Sequence, residues 1–296
     1  MILMRGAVLA LALGLAAGEV AAQPYVGSEL GFTLAPAMRL VGTDNDWGTR
    51  CDLLINPDGV ETGSECDTPP PPTEWANESG RTRGTVTGIA AGYRFGRFRM
   101  EAEYRYRAAP YHDYVPTEIG DVVTAQKADQ ELERAIGGAG DVSVHGVFAN
   151  FAVDLGAGGA RLTPYLGVGA GVQRMAVDYF SLWKRNNEPT RIATFEDPVL
   201  RAKLAGTTTL GSAVLHDTMF GAQALAGVDY RVTDRFTVGT RIRYAKALGP
   251  FESDPREWDQ LRSHDSTVGR GSRIVYTVET RDTSAFTVTL SLRYDL

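Results

Sequence analysis

Two cysteines in 296 residues, four histidines, and no long apolar run after residue 22 set the first limits on this chain. A membrane helix needs roughly 20 consecutive apolar residues, so the sequence beyond the N-terminus offers no helical span. Two thiols alone make a weak metal site. Glycine is plentiful at 33, yet none of it forms a phosphate-cradling loop, and a net charge of −6 gives no basic footprint for nucleic acid.

Residues 1–22 are expected to be a signal peptide. Arg5 supplies the basic start, residues 6–18 the apolar core, and Val20, Ala21 and Ala22 the small residues a signal peptidase accepts before Gln23. No cysteine follows the core, which argues against a lipid-anchored N-terminus. Export leaves residues 23–296 as the mature domain, with Cys51 and Cys66 in an oxidising compartment.

The most informative stretch is 85–107, TVTGIAAGYRFGRFRMEAEYRYR, which reads as two strands around a tight turn at Gly96-Arg97. Phe98, Met100, Ala102, Tyr104 and Tyr106 alternate with Arg99, Glu101, Glu103, Arg105 and Arg107, so the two sets lie on opposite faces of one strand. Ile89, Ala91, Tyr93 and Phe95 alternate likewise with Gly88, Ala90, Gly92 and Arg94. Five consecutive positions on the polar face are ionisable and of mixed sign, which suits an enclosed face whose charges pair. The apolar face then meets a bilayer.

Alternating segments recur at 26–34, 85–95, 98–107, 144–155, 162–177, 220–231, 236–244 and 285–296. Their connections alternate in length: polar stretches at 37–83, 110–141, 178–217 and 249–282, and short turns at 96–97, 156–160 and 232–235. Short turns on the periplasmic side and long loops outside are the pattern of an outer-membrane-type meander. The expected fold is all-β, an eight-stranded antiparallel up-and-down transmembrane β-barrel with four long extracellular loops. Phe286, Val288, Leu290, Leu292, Tyr294 and Leu296 face lipid in the terminal strand. Aromatic girdles are expected from Phe95, Phe98, Tyr230, Phe236 and Tyr294 at the inner interface, and from Tyr104, Tyr106, Phe220 and Tyr244 at the outer one. A soluble eight-stranded lipocalin would reverse this pattern, with apolar side chains inside.

The four polar stretches hold 16 Lys and Arg against 28 Asp and Glu, and the rest of the mature chain 13 against 7. The inward positions are therefore Arg-rich: Arg94, Arg99, Arg105, Arg107, Arg231, Arg241, Arg243 and Arg293 against Glu29, Glu101, Glu103, Asp154, Asp229 and Asp295. One reading is a lining selective for anions. The other is a plug, because eight strands leave a bore just wide enough for side chains to fill, and buried charges persist only when paired.

In the first polar stretch Cys51 and Cys66 are expected to form a disulfide, which in the chain-entropy account contributes roughly 3 kcal/mol. Asp44, Asp46, Asp52, Asp58 and Glu61 lack the order of a calcium loop and read as a solvated acidic surface. Helices are expected after Asp197-Pro198, with Gly206 suited to the C-terminal cap, and at 127–136. His112, His145, His216 and His264 all fall on the outer side. His145 or His216 with Asp217, or His264 with Asp265 and Ser266, would be needed for chemistry at that rim, but adjacent residues of an extended chain point apart.

Together these segments resemble the small outer-membrane β-barrels of the OmpA-like and opacity-protein (surface antigen) type. The likeness rests on YVGSELGF, AAGYRFGRFRMEAEYRYR, VFANFAVDL with TPYLGVGAGV, GVDYRVTDRFTVGTRIRY and the terminal strand. It implies residence in the bacterial cell outer membrane, contact with its lipid, insertion by the barrel-assembly machinery, a monomer, and loops that meet an extracellular ligand or host surface. No catalytic residue, metal or cofactor is implied. Leu296 replaces the usual terminal Phe, and the loops are longer than usual. A narrow pore with an Arg-rich lumen and an outer-rim lipid-modifying enzyme or protease are the competing readings.

Overall fold

The computed structural model describes residues 22–45, 73–120, 122–133, 135–156, 160–193, 196–261 and 274–296. The signal peptide up to residue 21 and the Cys51–Cys66 pairing lie outside the described residues. In chain order the strands are β1 (Gln23–Ala35), β2 (Met38–Asp44), β3 (Thr73–Ser79), β4 (Thr82–Phe95), β5 (Phe98–Pro116), β6 (Glu118–Ile119) and β7 (Ile136–Asp154). There follow β8 (Leu162–Lys184), β9 (Thr208–Arg231), β10 (Phe236–Ala247), β11 (Phe251–Glu252), β12 (Arg256–Glu257), β13 (Val275–Thr280) and β14 (Ala285–Asp295). Two helices, α1 (Val122–Glu131) and α2 (Pro198–Leu204), accompany them.

Eight of these strands close a barrel in the order β1-β14-β10-β9-β8-β7-β5-β4, every neighbour antiparallel. They are the eight alternating segments of the sequence. Leu30, Ile89, Met100, Val147, Leu166, Ile242 and Leu290 point outward, 42–67% exposed, while Arg243 between two such neighbours is 1% exposed. A continuous apolar band of this size is more than a soluble monomer leaves uncovered, and it forms the lipid-facing surface. At its inner edge Phe98 stacks on Phe151 at 5.7 Å and Phe236 meets Tyr294 edge-on at 5.1 Å. The β4–β5 turn places Gly96 at φ 60°, the backbone a two-residue hairpin needs at its first central position. Gly169 faces inward, where a Cβ would collide with the Asn150 side chain.

The long connections correct the sequence reading. Segments 110–141 and 178–217 are not loops throughout: β5 runs to Pro116, β7 starts at Ile136, and β8 and β9 pair without a break from Leu162↔Tyr230 to Lys184↔Thr208. Beyond the outer girdle the inward side chains become apolar (Val177, Tyr179, Trp183, Leu215), while the outward ones are mixed, Asp178 and Ser212 alternating with Phe180, Leu182 and Val214. The inward face therefore changes from charged to apolar while the outward face loses its uniform apolar character, and the period-2 contrast between faces fades. The helix expected at 127–136 lies at Val122–Glu131 instead, because Ile136 is drawn into pairing with Leu182. Helix α2 starts as expected, with the Asp197 carboxylate accepting from the Val199 N–H at 2.9 Å and Pro198 in the first turn.

The remaining strands form a second sheet, β11-β13-β2-β3-β6 with β12 on β13, drawn from the first, second and fourth long connections. Met38, Leu40, Trp75, Tyr276 and Val278 bury their side chains in one core with Tyr179, Trp183 and Leu215 of the extended barrel wall. The 37–83 and 249–282 stretches thus contribute to an extracellular β-cap as well as loop.

Candidate functional site

The barrel interior is built by parity. Every second residue of β5, from Arg99 to Arg107, points into the lumen, where side chains from β1, β9, β10 and β14 meet it. Three tiers of charge follow. Nearest the inner end, Arg99 donates to Asp229 at 2.7 Å and also to Asp154, while Arg293 reaches Asp229 at 2.7 Å and Asp295 at 3.6 Å. Arg94 lies 3.7 Å from Asp295. In the middle tier Arg241 forks onto Glu101 at 3.1 and 3.3 Å and donates through Nε to the Tyr165 hydroxyl at 2.9 Å. Above it Arg243 holds Glu29 at 2.7 Å and Glu103 at 2.6 Å.

Neutral side chains complete the tiers. Asn150 donates to Glu103 at 2.6 Å and to Glu101 at 3.1 Å, and Gln223 donates to Asn150 at 2.6 Å. Arg105 donates to the Gln223 carbonyl at 3.1 Å and lies 5.1 Å over the Phe148 ring. Tyr25, Asn150, Tyr165 and Gln223 were absent from the sequence-derived interior set; inward parity was the signal that could have found them. Arg107 is buried and makes no ion pair with any described residue, and Arg231 lies at the inner mouth rather than in the tiers. The voids left among the tiers measure about 30 and 10 Å³, room for single waters only.

Both ends differ. The inner mouth is a recess of about 150 Å³ lined by Arg94, Arg97, Asp154, Arg231 and Arg293. The outer mouth is shut by the aromatic cap. Trp75 donates to the Tyr179 hydroxyl at 2.9 Å and packs on Trp183 at 5.9 Å and Trp258 at 5.6 Å, while Trp258 lies 4.6 Å from Tyr276. Gly42 leaves space for the Trp75 indole that any Cβ would occupy. Desolvation pushes the Tyr179 hydroxyl up to about 12 and raises Tyr276 as well.

The histidines do not converge. His145 faces outward against Tyr104 and Tyr106, and exposed His112 lies 3.4 Å from Asp141. The Asp217 carboxylate is taken by the backbone N–H groups of Thr218 and Glu252, with no hydrogen bond to either His145 or His216 among the described residues. His264, Asp265, Ser266 and the acidic residues 46–61 lie outside the described residues. Among the described residues no group of three or more His, Cys, Asp and Glu side chains could hold a metal ion.

The sequence matches the family model described as an outer membrane protein beta-barrel domain over residues 6–273. No curated protein matches it. Among solved structures it is similar to the Neisserial surface protein NspA, at 13% identity over 93% of this chain and 99% of that one, TM-score 0.40. It is also similar to OprG from Pseudomonas aeruginosa, at 11% identity over 93% and 97%, TM-score 0.43. A third is Ail, the attachment invasion locus protein of Yersinia pestis, in complex with the heparin analogue sucrose octasulfate, at 8% identity over 91% and 99%, TM-score 0.30.

Proposed function

The chain belongs to the outer membrane β-barrel domain family and resides in the bacterial outer membrane, and from that premise we propose that it is a surface-interaction, adhesin-like protein rather than a channel or an enzyme. The observation that carries this reading is the doubly closed barrel: paired charges fill the membrane-level lumen, and an aromatic core seals the mouth above it. What remains available outside is a folded platform. Its stretches are acidic, 16 Lys and Arg against 28 Asp and Glu, and Glu74, Glu78 and Asp254 are exposed on it. An acidic, sheet-built platform suits a basic partner on a host or neighbouring cell, attracted over a range set by ionic strength. Cells carrying the full chain are expected to be retained on an immobilised basic protein more than cells without it, less so in high salt, and less when Glu74, Glu78 and Asp254 are all changed to Lys. Retention equal to that of cells lacking the chain on every surface tried removes the adhesin reading.

A further inference from the structure

One group of side chains lies on the outside of the barrel wall, separate from both lumen and cap. Tyr106, His145, Arg174 and Thr218 are consecutive partners across β5, β7, β8 and β9, so they form one row on the outward face. The row sits at the upper edge of the lipid-facing band: Val147, Val172 and Phe220 directly below are 60, 42 and 73% exposed. Tyr104 holds His145 through its Nδ1 at 2.8 Å, and the Tyr106 ring lies 4.8 Å from the imidazole. In the tautomer where the Tyr104 hydroxyl donates to Nδ1, Nε2 carries the proton and is left as a donor.

Arg174 is exposed beside it, and no ion pair or hydrogen bond joins it to a described residue. The outward carboxylates on its own and the adjoining strand, Asp178 and Asp141, stand four residues further up, roughly 13 Å at strand rise. Asp141 is paired with His112 at 3.4 Å, and Asp217 is turned to backbone N–H groups. A guanidinium and an imidazole N–H on directly opposed residues, with tyrosine beside them and an apolar slope beneath, are a place for one amphiphile. Its head must be an anion with several acceptor oxygens, and its tails must lie along the barrel.

We propose that the row Tyr106–His145–Arg174 binds the phosphate of a phosphorylated glycolipid of the outer leaflet, with its acyl chains on Val172 and Phe220. Arg174 meets two phosphate oxygens as a fork, and His145 donates Nε2–H to a third. Tyr104 acts as a positioning residue by fixing the imidazole.

The test is native mass spectrometry of the full chain, refolded in detergent, titrated with lipid A and with chemically dephosphorylated lipid A. Wild type is expected to prefer the phosphorylated lipid, and Arg174→Glu to weaken its binding by about tenfold, the scale of one lost charge-assisted contact. His145→Phe is expected to lose less, and Arg281→Gln in the cap nothing. A heat-dependent gel shift checks that each variant is inserted, and Arg174→Gln carries the test if Arg174→Glu does not fold. Equal binding of the two lipids by wild type overturns the proposal. So does unchanged binding by the Arg174 variants, or displacement of the lipid by inorganic phosphate, which would make this a site for a free anion.

Discussion

Arg243 on β10 reaches across the lumen to Glu103 on β5 at 2.6 Å, and the same guanidinium holds Glu29 on β1 at 2.7 Å. Three strands are thereby tied through one buried cation whose side chain has no exposed surface. Glu103→Ala removes this acceptor and also the one used by Asn150. Breaking one partner of a buried pair costs about 3–5 kcal/mol, because the charge left behind stays desolvated. Urea unfolding in detergent is expected to show that loss for Glu103→Ala and a change within about 0.5 kcal/mol for exposed Glu78→Ala. Equal midpoints for the two variants would mean that the luminal pairs do not hold the barrel.

The cap makes a separate prediction. Trp75 is 1% exposed and touches both Trp183 and Trp258, so Trp75→Ala removes the centre of the extracellular core. The expected cost is about 3–5 kcal/mol, confined to the cap. Near-ultraviolet dichroism should lose its aromatic signal, and protease should cut the 37–83 and 249–282 stretches, while the heat-dependent gel shift of the barrel persists. A barrel that unfolds with the cap would show the two to be one cooperative unit.

What could be read from the sequence follows from where each residue's surroundings lie. Outward Leu290 and inward Thr289 declare their faces by alternation alone, because the strand that carries them is bounded by lipid on one side and charge on the other. Register cannot be read that way. Glu101 and Arg241 are 140 residues apart, and nothing local to either marks the other. The cap was hidden for a different reason. Tyr179 and Trp183 also face inward, but Phe180 and Leu182 between them are apolar too, so the segment shows no contrast between faces by which its burial could be read. Asp197 at the start of α2 was legible because a helix cap is local, whereas the start of β7 at Ile136 is decided by its pairing with Leu182.

Tyr179 gives the cap a pH dependence. Its hydroxyl is pushed up to about 12 by desolvation, with the Trp75 N–H working in the opposite direction. An unfolded tyrosine ionises near 10. The folded value lies above the unfolded one, so the unfolded state loses its proton first. Cap stability is complete below pH about 10 and falls as pH rises from there through about 12. Monitored by aromatic dichroism, wild type is expected to lose its cap signal over that window. Tyr179→Phe, which leaves the Trp75 indole without its acceptor, should start less stable and show a shallower fall. A cap signal that is flat from pH 9 to past the tyrosine range in wild type would contradict the buried hydroxyl.

The last prediction concerns ion passage, where the Arg excess of the interior and its packing point in opposite directions. An open ring of arginines would select anions, and the inner mouth, lined by Arg94, Arg97, Arg231 and Arg293, could gather them. Passage requires more than attraction. Arg241 is held by Glu101 and Tyr165, and Arg243 by Glu29 and Glu103, so moving either aside breaks charge-assisted bonds in a desolvated interior. Voids of about 30 and 10 Å³ between them are too small for a hydrated ion. An ion that passed both tiers would still meet the apolar underside of the cap at Met175, Val177 and Leu215. No stable conductance is therefore expected from the intact protein in planar bilayers. Deleting residues 46–72, which lie in the sequence between β2 and β3, should not create one, because the charged tiers lie below the cap. Brief low-conductance events would reflect anions visiting the mouth and carry no selectivity. Long-lived uniform openings whose anion preference reverses in Arg241→Glu or Arg243→Glu would establish a pore through the tiers and displace the closed-barrel account.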